Sequence, residues 1–364
     1  MKLLQRYILR ENIKPFLFSL FAFLFIFLID KIGDFIDLFL NKNVSLLVIG
    51  RLLMYYLPSF MAISVPMAVL VSTIFAFSRL SIDNEIIALK ALGINLRSIL
   101  LPVLLLGIFW AGVMVWFNND VLPRANLAAK SLFYKMAEKN TDIIIKPRVY
   151  ITDFPGIRLY INEYNKKTGL MKNIYLINKQ KYRKPQIILA KTGHLIKNSE
   201  TQDMSLELNN GTIQENDNDK KALTILRYKK YVINIQFDRL KSRIISKGFR
   251  EMNFSEMLAA IKKFKLSGRS YQRLLIEFHK KIAIPFASMV FIFIGMPLGI
   301  FNKRAGKSLA FAQSIFLIFL YYIILMSSQG FGEKGAIPPW LSMWLPNIFF
   351  AIIGSIMTYN TLKR

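Results

Sequence analysis

Six stretches of the chain are apolar over most of the length a membrane crossing requires, which is about 20 residues with a range of about 17–25. They fall at Ile13–Ile29, Tyr55–Phe77, Ile99–Phe117, Ile282–Phe301, Leu309–Met326 and Ile337–Met357. Each is predicted to be a transmembrane helix. Pro58 and Pro66 lie inside the second; a membrane helix tolerates proline when neighbouring groups satisfy the carbonyl it frees. The first stretch follows a basic start (Lys2, Arg6, Arg10, Lys14), as a signal peptide would. No small-x-small cleavage site follows it, so it is predicted to stay as an anchor.

Between the third and fourth stretches the pattern changes. Short runs alternate with turn signals at Ile143–Thr152, Ile157–Glu163, Asn173–Asn178, Gln186–Lys197, Met204–Leu208 and Tyr231–Phe237. These predict β-strands, with a tight turn at Asn210-Gly211. Six short strands with no helical spacing among them suggest a sandwich or jelly roll. Inward-facing candidates are Ile144, Val149, Leu159, Ile174, Ile188 and Ile233. Helical spacing returns over Phe254–Phe264, with Ser255-Glu256 as a start signal. The predicted layout is helices 1–3 in 1–118, a β domain in 119–250, a connecting helix in 251–281 and helices 4–6 in 282–364. The two helical halves share no residue-level repeat, so an inverted repeat is not supported.

Composition sharpens this layout. Hydrophobic residues make up 54% of the 364. Yet 49 Lys+Arg stand against 22 Asp+Glu, a formal charge of +27. A disordered chain would not be this apolar, and a simple soluble nucleic-acid binder would not carry so much greasy surface. Cysteine is absent, which excludes thiolate catalysis and thiolate metal sites. The charge is distributed unevenly. With the N-terminus cytoplasmic, the short cytoplasmic segments hold twelve Lys/Arg and the opposite ones four, so both termini are predicted to be cytoplasmic. The long segment 119–281 holds 33 Lys+Arg and 15 Asp+Glu, a net +18, and long domains cross regardless of charge.

The loop after the second stretch reads Ser78-Arg79-Leu80-Ser81-Ile82-Asp83-Asn84-Glu85-Ile86-Ile87-Ala88-Leu89-Lys90-Ala91-Leu92-Gly93. Leu80, Ile82, Ile86, Leu89 and Leu92 are near helical spacing, and Gly93 suits a helix stop. A short amphipathic helix at about 80–93 follows, fit for the membrane interface or for a groove on a partner. The same loop, with other segments, resembles the LptF/LptG permease family. The matching pieces are Arg6-Tyr7-Ile8-Leu9-Arg10-Glu11, Asn118–Asn126, Glu277–Pro285, Gly295-Met296-Pro297-Leu298-Gly299, Pro338-Pro339-Trp340 and Trp344-Leu345-Pro346-Asn347. They run in order over nearly the whole chain.

The resemblance implies a six-helix inner-membrane protein with an inserted periplasmic all-β, jelly-roll-like domain. It implies one half of the permease of an ATP-driven lipopolysaccharide exporter, paired with a second LptF/LptG-like subunit. Two LptB-type ATPases would supply ATP and Mg chemistry, so this chain would carry no cofactor. LptC/LptA-like β proteins would receive the cargo. The loop helix becomes a coupling helix with Glu85 meeting the ATPase, and Arg79 and Asp83 beside it. Lys31, Lys42 and Arg51 become candidates for cargo phosphates near the end of the first helix. Lys31 has Asp30, Asp34 and Asp37 for neighbours, and those acids are equally the charged boundary of a helix leaving the membrane. The cavity wall would come from helices one, two and five.

Other chemistry is scarce. Gly306-Lys307-Ser308 mimics the end of a phosphate loop, but six residues separate it from Gly299, and no strand precedes it. His279 beside Lys280 and Lys281 reads as a polar boundary, and the chain's two histidines lie far apart. No paired catalytic carboxylates, nucleophile elbow or metal cluster stands out. A structural or signalling subunit with a sensing domain is the alternative, and a lipid-modifying membrane enzyme a third; the latter would need intramembrane acids or histidines.

Overall fold

A computed structural model describes residues 2–41, 44–139, 147–151, 157–165, 168–178, 186–197, 204–217, 222–235, 247–301 and 306–363. Its long helices are α1 (Lys2–Ile36), α2 (Leu46–Ile82), α4 (Arg97–Lys139), α6 (Gln272–Phe301), α7 (Gly306–Glu333) and α8 (Pro339–Lys363). Two short helices, α3 (Glu85–Ala91) and α5 (Phe254–Leu266), complete the helical set among the described residues, with a π turn at Asp37–Asn41 and a 3-10 turn at Phe249–Glu251. All six long helices are long and apolar enough to cross a membrane. They outrun the apolar stretches because a helix continues into water after its greasy part ends. α4, for example, carries on through 119–139.

The chain divides into two units. The helical unit comprises 1–35, 50–129 and 248–364; the other comprises 36–49 and 130–247 and contains the sheet. In the helical unit two buried clusters share α2 and α6. One gathers Ile8, Leu80, Ile86, Leu96, Ile99 and Met296, and so ties α1, α3 and α4 to them. The other gathers Phe291, Tyr321, Leu325, Met343 and Phe350, and ties in α7 and α8. The α2 and α6 backbones nearly touch. A Cβ added at Gly299 would stand 2.8 Å from the Ile74 carbonyl oxygen, and one at Gly295 would meet Thr73 at 3.0 Å. These two glycines, four apart, form the small-residue seam that lets membrane helices approach. Burial is uneven: 83% of the most apolar window of α2 lies inside the protein, against 17% for α1 and 28% for α7. α2 is thus the central helix, while Phe18, Phe21 and Phe25 of α1 and Phe316 and Phe319 of α7 are uncovered.

Proline inside a helix leaves the carbonyl four residues earlier without its N–H partner. Three such carbonyls are met by a neighbouring helix. Pro285 frees the Lys281 carbonyl, which accepts from Asn118 Nδ2 of α4 at 3.3 Å. Pro297 frees that of Phe293, which accepts from Thr358 Oγ1 of α8 at 2.7 Å. Pro346 frees that of Ser342, which accepts from Ser328 Oγ of α7 at 2.6 Å. The helices therefore stay continuous, and each proline becomes an interhelical contact.

The sheet contains β1 (Tyr150–Ile151), β2 (Ile157–Asn165), β3 (Leu170–Asn178), β4 (Gln186–Lys197), β5 (Met204–Asp217) and β6 (Ala222–Ile235). All neighbours are antiparallel and consecutive, so the described strands form a meander, without the crossovers of a Greek key. Leu159, Ile174, Ile188 and Ile233 are buried as expected; Val149 is 53% exposed, and Ile144 lies outside the described residues. Asn210-Gly211 is not a turn. β5 runs straight through it, with Asn210 left-handed at φ +53°. Asn173 of β3 is left-handed too, at φ +51°. Asn162, Asn173, Lys191, Asn210 and Lys229 fall in one row across five strands. The inward face slips by one residue at that row: Ala190 is followed by Gly193 on the buried side of β4, and Met171 by Ile174 on β3. Strict alternation fails there, which is why β5 and β6 are longer than their apolar runs.

Candidate coupling and cargo sites

The break between α2 and α3 is local chemistry. Asn84 is left-handed at φ +58°, which asparagine tolerates better than most residues. The helix restarts at Glu85. It stops at Gly93, φ +75°, where the Ile94 N–H reaches the Leu89 carbonyl and the Gly93 N–H that of Lys90. That pair of bonds is the Schellman stop. The expected helix over 80–93 is therefore two pieces, the end of α2 and the seven-residue α3. Leu80 and Ile86 are buried and Leu89 packs behind them, whereas Ile82, Ile87 and Leu92 remain exposed.

Arg79 sits at the centre of this corner. Its Nη1 pairs with Glu11 of α1, its Nε with Asp83 at 3.2 Å and its Nη2 with Glu85 at 3.5 Å. Tyr7 of α1 donates its phenol proton to Glu85, lying 2.9 and 2.8 Å from the two carboxylate oxygens. The three loop candidates Glu85, Arg79 and Asp83 are thus brought together, and two residues of α1 join them. Tyr7 and Glu11 had no role assigned from sequence. Their signal was present as an i, i+4 pair on one face of α1, but nothing local tied that face to a loop 68 or more residues later. Three carboxylates share one guanidinium, so the corner carries an excess of negative charge.

The cargo candidates are less concentrated. Lys31 pairs with Asp30 at 3.2 Å and Asp34 at 3.5 Å, so its charge is already matched within α1. Arg51 is exposed in the first turns of α2. Lys42 lies outside the described residues.

A second polar junction lies midway along α4 and was not foreseen. Lys281 of α6 is only 6% exposed. Its Nζ donates to the Met252 carbonyl, and Asp120, Glu251, Glu256 and Glu277 act on it through charge. α5 is fastened beside it. Asn253 caps α5, accepting from the Glu256 N–H at 2.9 Å while Glu256 returns to the Asn253 N–H at 3.0 Å. The cap is therefore Asn253, two residues before the expected Ser255. Asn119 Oδ1 accepts the Phe254 N–H at 2.7 Å, joining α5 to α4. His279 is a half-buried boundary residue with its ring against Phe278. No group of His, Asp or Glu fit for a metal occurs among the described residues.

This arrangement can be set against known proteins. The family profile described as "Lipopolysaccharide export system permease LptF/LptG" matches residues 6–360. The lipopolysaccharide export system permease protein LptF of Escherichia coli K12 is 20% identical over 370 residues, covering 97% of this chain and 93% of its own length. The protein of the same name from Shigella flexneri matches to the same extent.

Proposed function

The chain belongs to the LptF/LptG family of lipopolysaccharide export permeases, and on that premise we propose that it is one wall-forming half of an ATP-driven exporter in the inner membrane. Both termini and α3 are cytoplasmic, and the β domain is periplasmic. A second LptF/LptG-like subunit supplies the facing wall. A dimer of LptB-type ATPases, which carries the ATP and Mg, docks on α3. Lipopolysaccharide is drawn from the outer leaflet and handed to LptC/LptA-like β proteins. Burial is worth about 0.8 kcal/mol per CH₂, so lifting a lipid of several chains out of the bilayer requires an external energy source.

The observation that carries this reading is the connection of Glu85 to α1. The Glu85 carboxylate is held by Tyr7 and Arg79, and Arg79 also holds Glu11. A displacement of α3 by the ATPase is therefore passed to α1, the least covered of the six long helices. Phe21 and Phe25 of α1, with the uncovered phenylalanines of α7, suit an acyl-lined cavity. The carboxylate excess around Arg79 suits a basic docking surface on the ATPase. Lys31, Lys42 and Arg51 remain proposed phosphate contacts. Lys31 would first have to exchange its two aspartates for the cargo.

Glu85→Ala tests the reading in the reconstituted complex. ATP hydrolysis is expected to continue while lipopolysaccharide release falls, with the subunit still folded. Normal release would remove Glu85 from the coupling role.

A further inference from the structure

Beside the Arg79 corner, α1, α2 and α7 enclose a cavity of about 570 Å³. That lies within the ~300–1,000 Å³ of sites that hold a small organic ligand. Phe18, Phe23, Ile26, Phe75 and Phe311 make most of it apolar. Its charged lining residues, Glu11, Lys14, Arg79 and Asp83, all sit at the end nearest α3. From Glu11 to Ile26 α1 rises about 22 Å. One leaflet of a ~30 Å hydrocarbon core is about 15 Å deep, so the cavity reaches from headgroup level to the bilayer centre.

Two features indicate what fills it. Lys14 is exposed and has no ion-pair or hydrogen-bond partner among the described residues. The carboxylates next to it outnumber their guanidinium, and Asp83 bonds Arg79 through Oδ2. An unmatched cation beside a carboxylate excess complements a headgroup that carries both signs. We infer that the cavity holds a glycerophospholipid whose headgroup bears a phosphate and a primary ammonium. The phosphate sits on Lys14 and the ammonium on Asp83. One acyl chain fills the apolar part. The lipid comes from the leaflet on the α3 side, which is cytoplasmic in the orientation proposed above. It is therefore distinct from cargo drawn from the opposite leaflet, and its retention requires no ATP hydrolysis.

The test uses the full chain with its partner subunits, reconstituted in nanodiscs of equal parts phosphatidylethanolamine, phosphatidylglycerol and phosphatidylcholine. After detergent extraction, retained lipid is counted by native mass spectrometry. One charge-assisted hydrogen bond supports about tenfold selection, so phosphatidylethanolamine is expected at about tenfold enrichment over both others. Lys14→Ala lowers the retention of all three lipids, since each carries the phosphate, and Asp83→Asn abolishes the discrimination against phosphatidylglycerol. Ala22→Trp, which fills the cavity from its wall, removes the retained lipid. Equal retention of all three lipids by the unmodified complex overturns the inference. So does retention that survives both Lys14→Ala and Ala22→Trp, so does enrichment over phosphatidylglycerol that survives Asp83→Asn, and so does lipopolysaccharide recovered in place of the glycerophospholipid. Failure of Glu85→Ala to uncouple transport would leave this result untouched.

Discussion

Two polar junctions stand at opposite ends of the helical unit, and they are built in opposite ways. At the Arg79 corner one guanidinium joins α1, α2 and α3, and its side chain is 43% exposed. At the Lys281 junction one ammonium joins α6 to the chain leading into α5, beside α4, and it is 6% exposed. Several carboxylates stand near each cation, and at the second junction Arg250 also pairs with Glu277 at 3.6 Å. Water makes the difference. Exposed ion pairs are worth about 0–1 kcal/mol and exchange partners readily. A buried charge that loses its partner costs about 3–5 kcal/mol. The first junction is thus suited to being taken apart and remade, as the coupling contact proposed for it would have to be. The second is suited to holding α5, which leads out of the β domain, permanently on the membrane helices.

The largest effect should come from Lys281→Ala. It takes the buried ammonium away from the Met252 carbonyl and from the field of the nearby carboxylates, and should lower stability by about 1–3 kcal/mol. A thermal melt of the purified subunit would show this as a marked fall in Tm. A melt within a degree of the unmodified protein would mean that the junction is no more permanent than the Arg79 corner. Next is Asn253→Ala, which removes the cap of α5 at a cost of about 1 kcal/mol. Hydrogen exchange should rise in the first turn of α5 and leave α6 unchanged. Third is Arg79→Ala, expected to change stability by no more than about 1 kcal/mol while abolishing ATP-dependent release. That contrast with Lys281→Ala, large in function and small in stability, is the sharpest form of the comparison.

The same contrast explains what was legible in the sequence. Arg79, Asp83 and Glu85 occupy seven consecutive positions between a membrane helix and Gly93, so spacing alone groups them. Their partners Tyr7 and Glu11 are 68 to 78 residues away, and only packing of α1 on α2 brings them in. Lys281 was visible as a residue at the mouth of a helix, where lysines ordinarily snorkel to water; its burial follows from α5 folding over it, which no local pattern reports. The membrane helices were legible because one bilayer sets one length. Their prolines were read as tolerable, and Asn118, Thr358 and Ser328 turn out to be the groups that make them so. In the sheet the row through Asn173 and Asn210 shifts the inward face by one residue. A reading by strict alternation therefore stops short in β5 and starts late in β6.

Tyr7→Phe carries the smallest expected effect and isolates one arm of the Arg79 corner. It deletes the hydroxyl that donates to the two Glu85 oxygens, at 2.9 and 2.8 Å, and accepts from Arg79 Nη2 at 3.4 Å, and leaves the Arg79 pairs with Glu11, Asp83 and Glu85 in place. A hydrogen bond of this kind contributes about 1 kcal/mol at most in an exposed setting, so the melt should hardly move. Lipopolysaccharide release at fixed ATP turnover should fall part of the way toward that of Glu85→Ala, because α3 still reaches α1 through Arg79. The decisive measurement is the double variant. If Tyr7 acts only by holding Glu85, then Tyr7→Phe with Glu85→Ala releases no less than Glu85→Ala alone, and the two changes are fully non-additive. Independent, multiplying losses would assign Tyr7 a separate role on α1. Arg79 would then be the only tie left between Glu85 and the cavity wall.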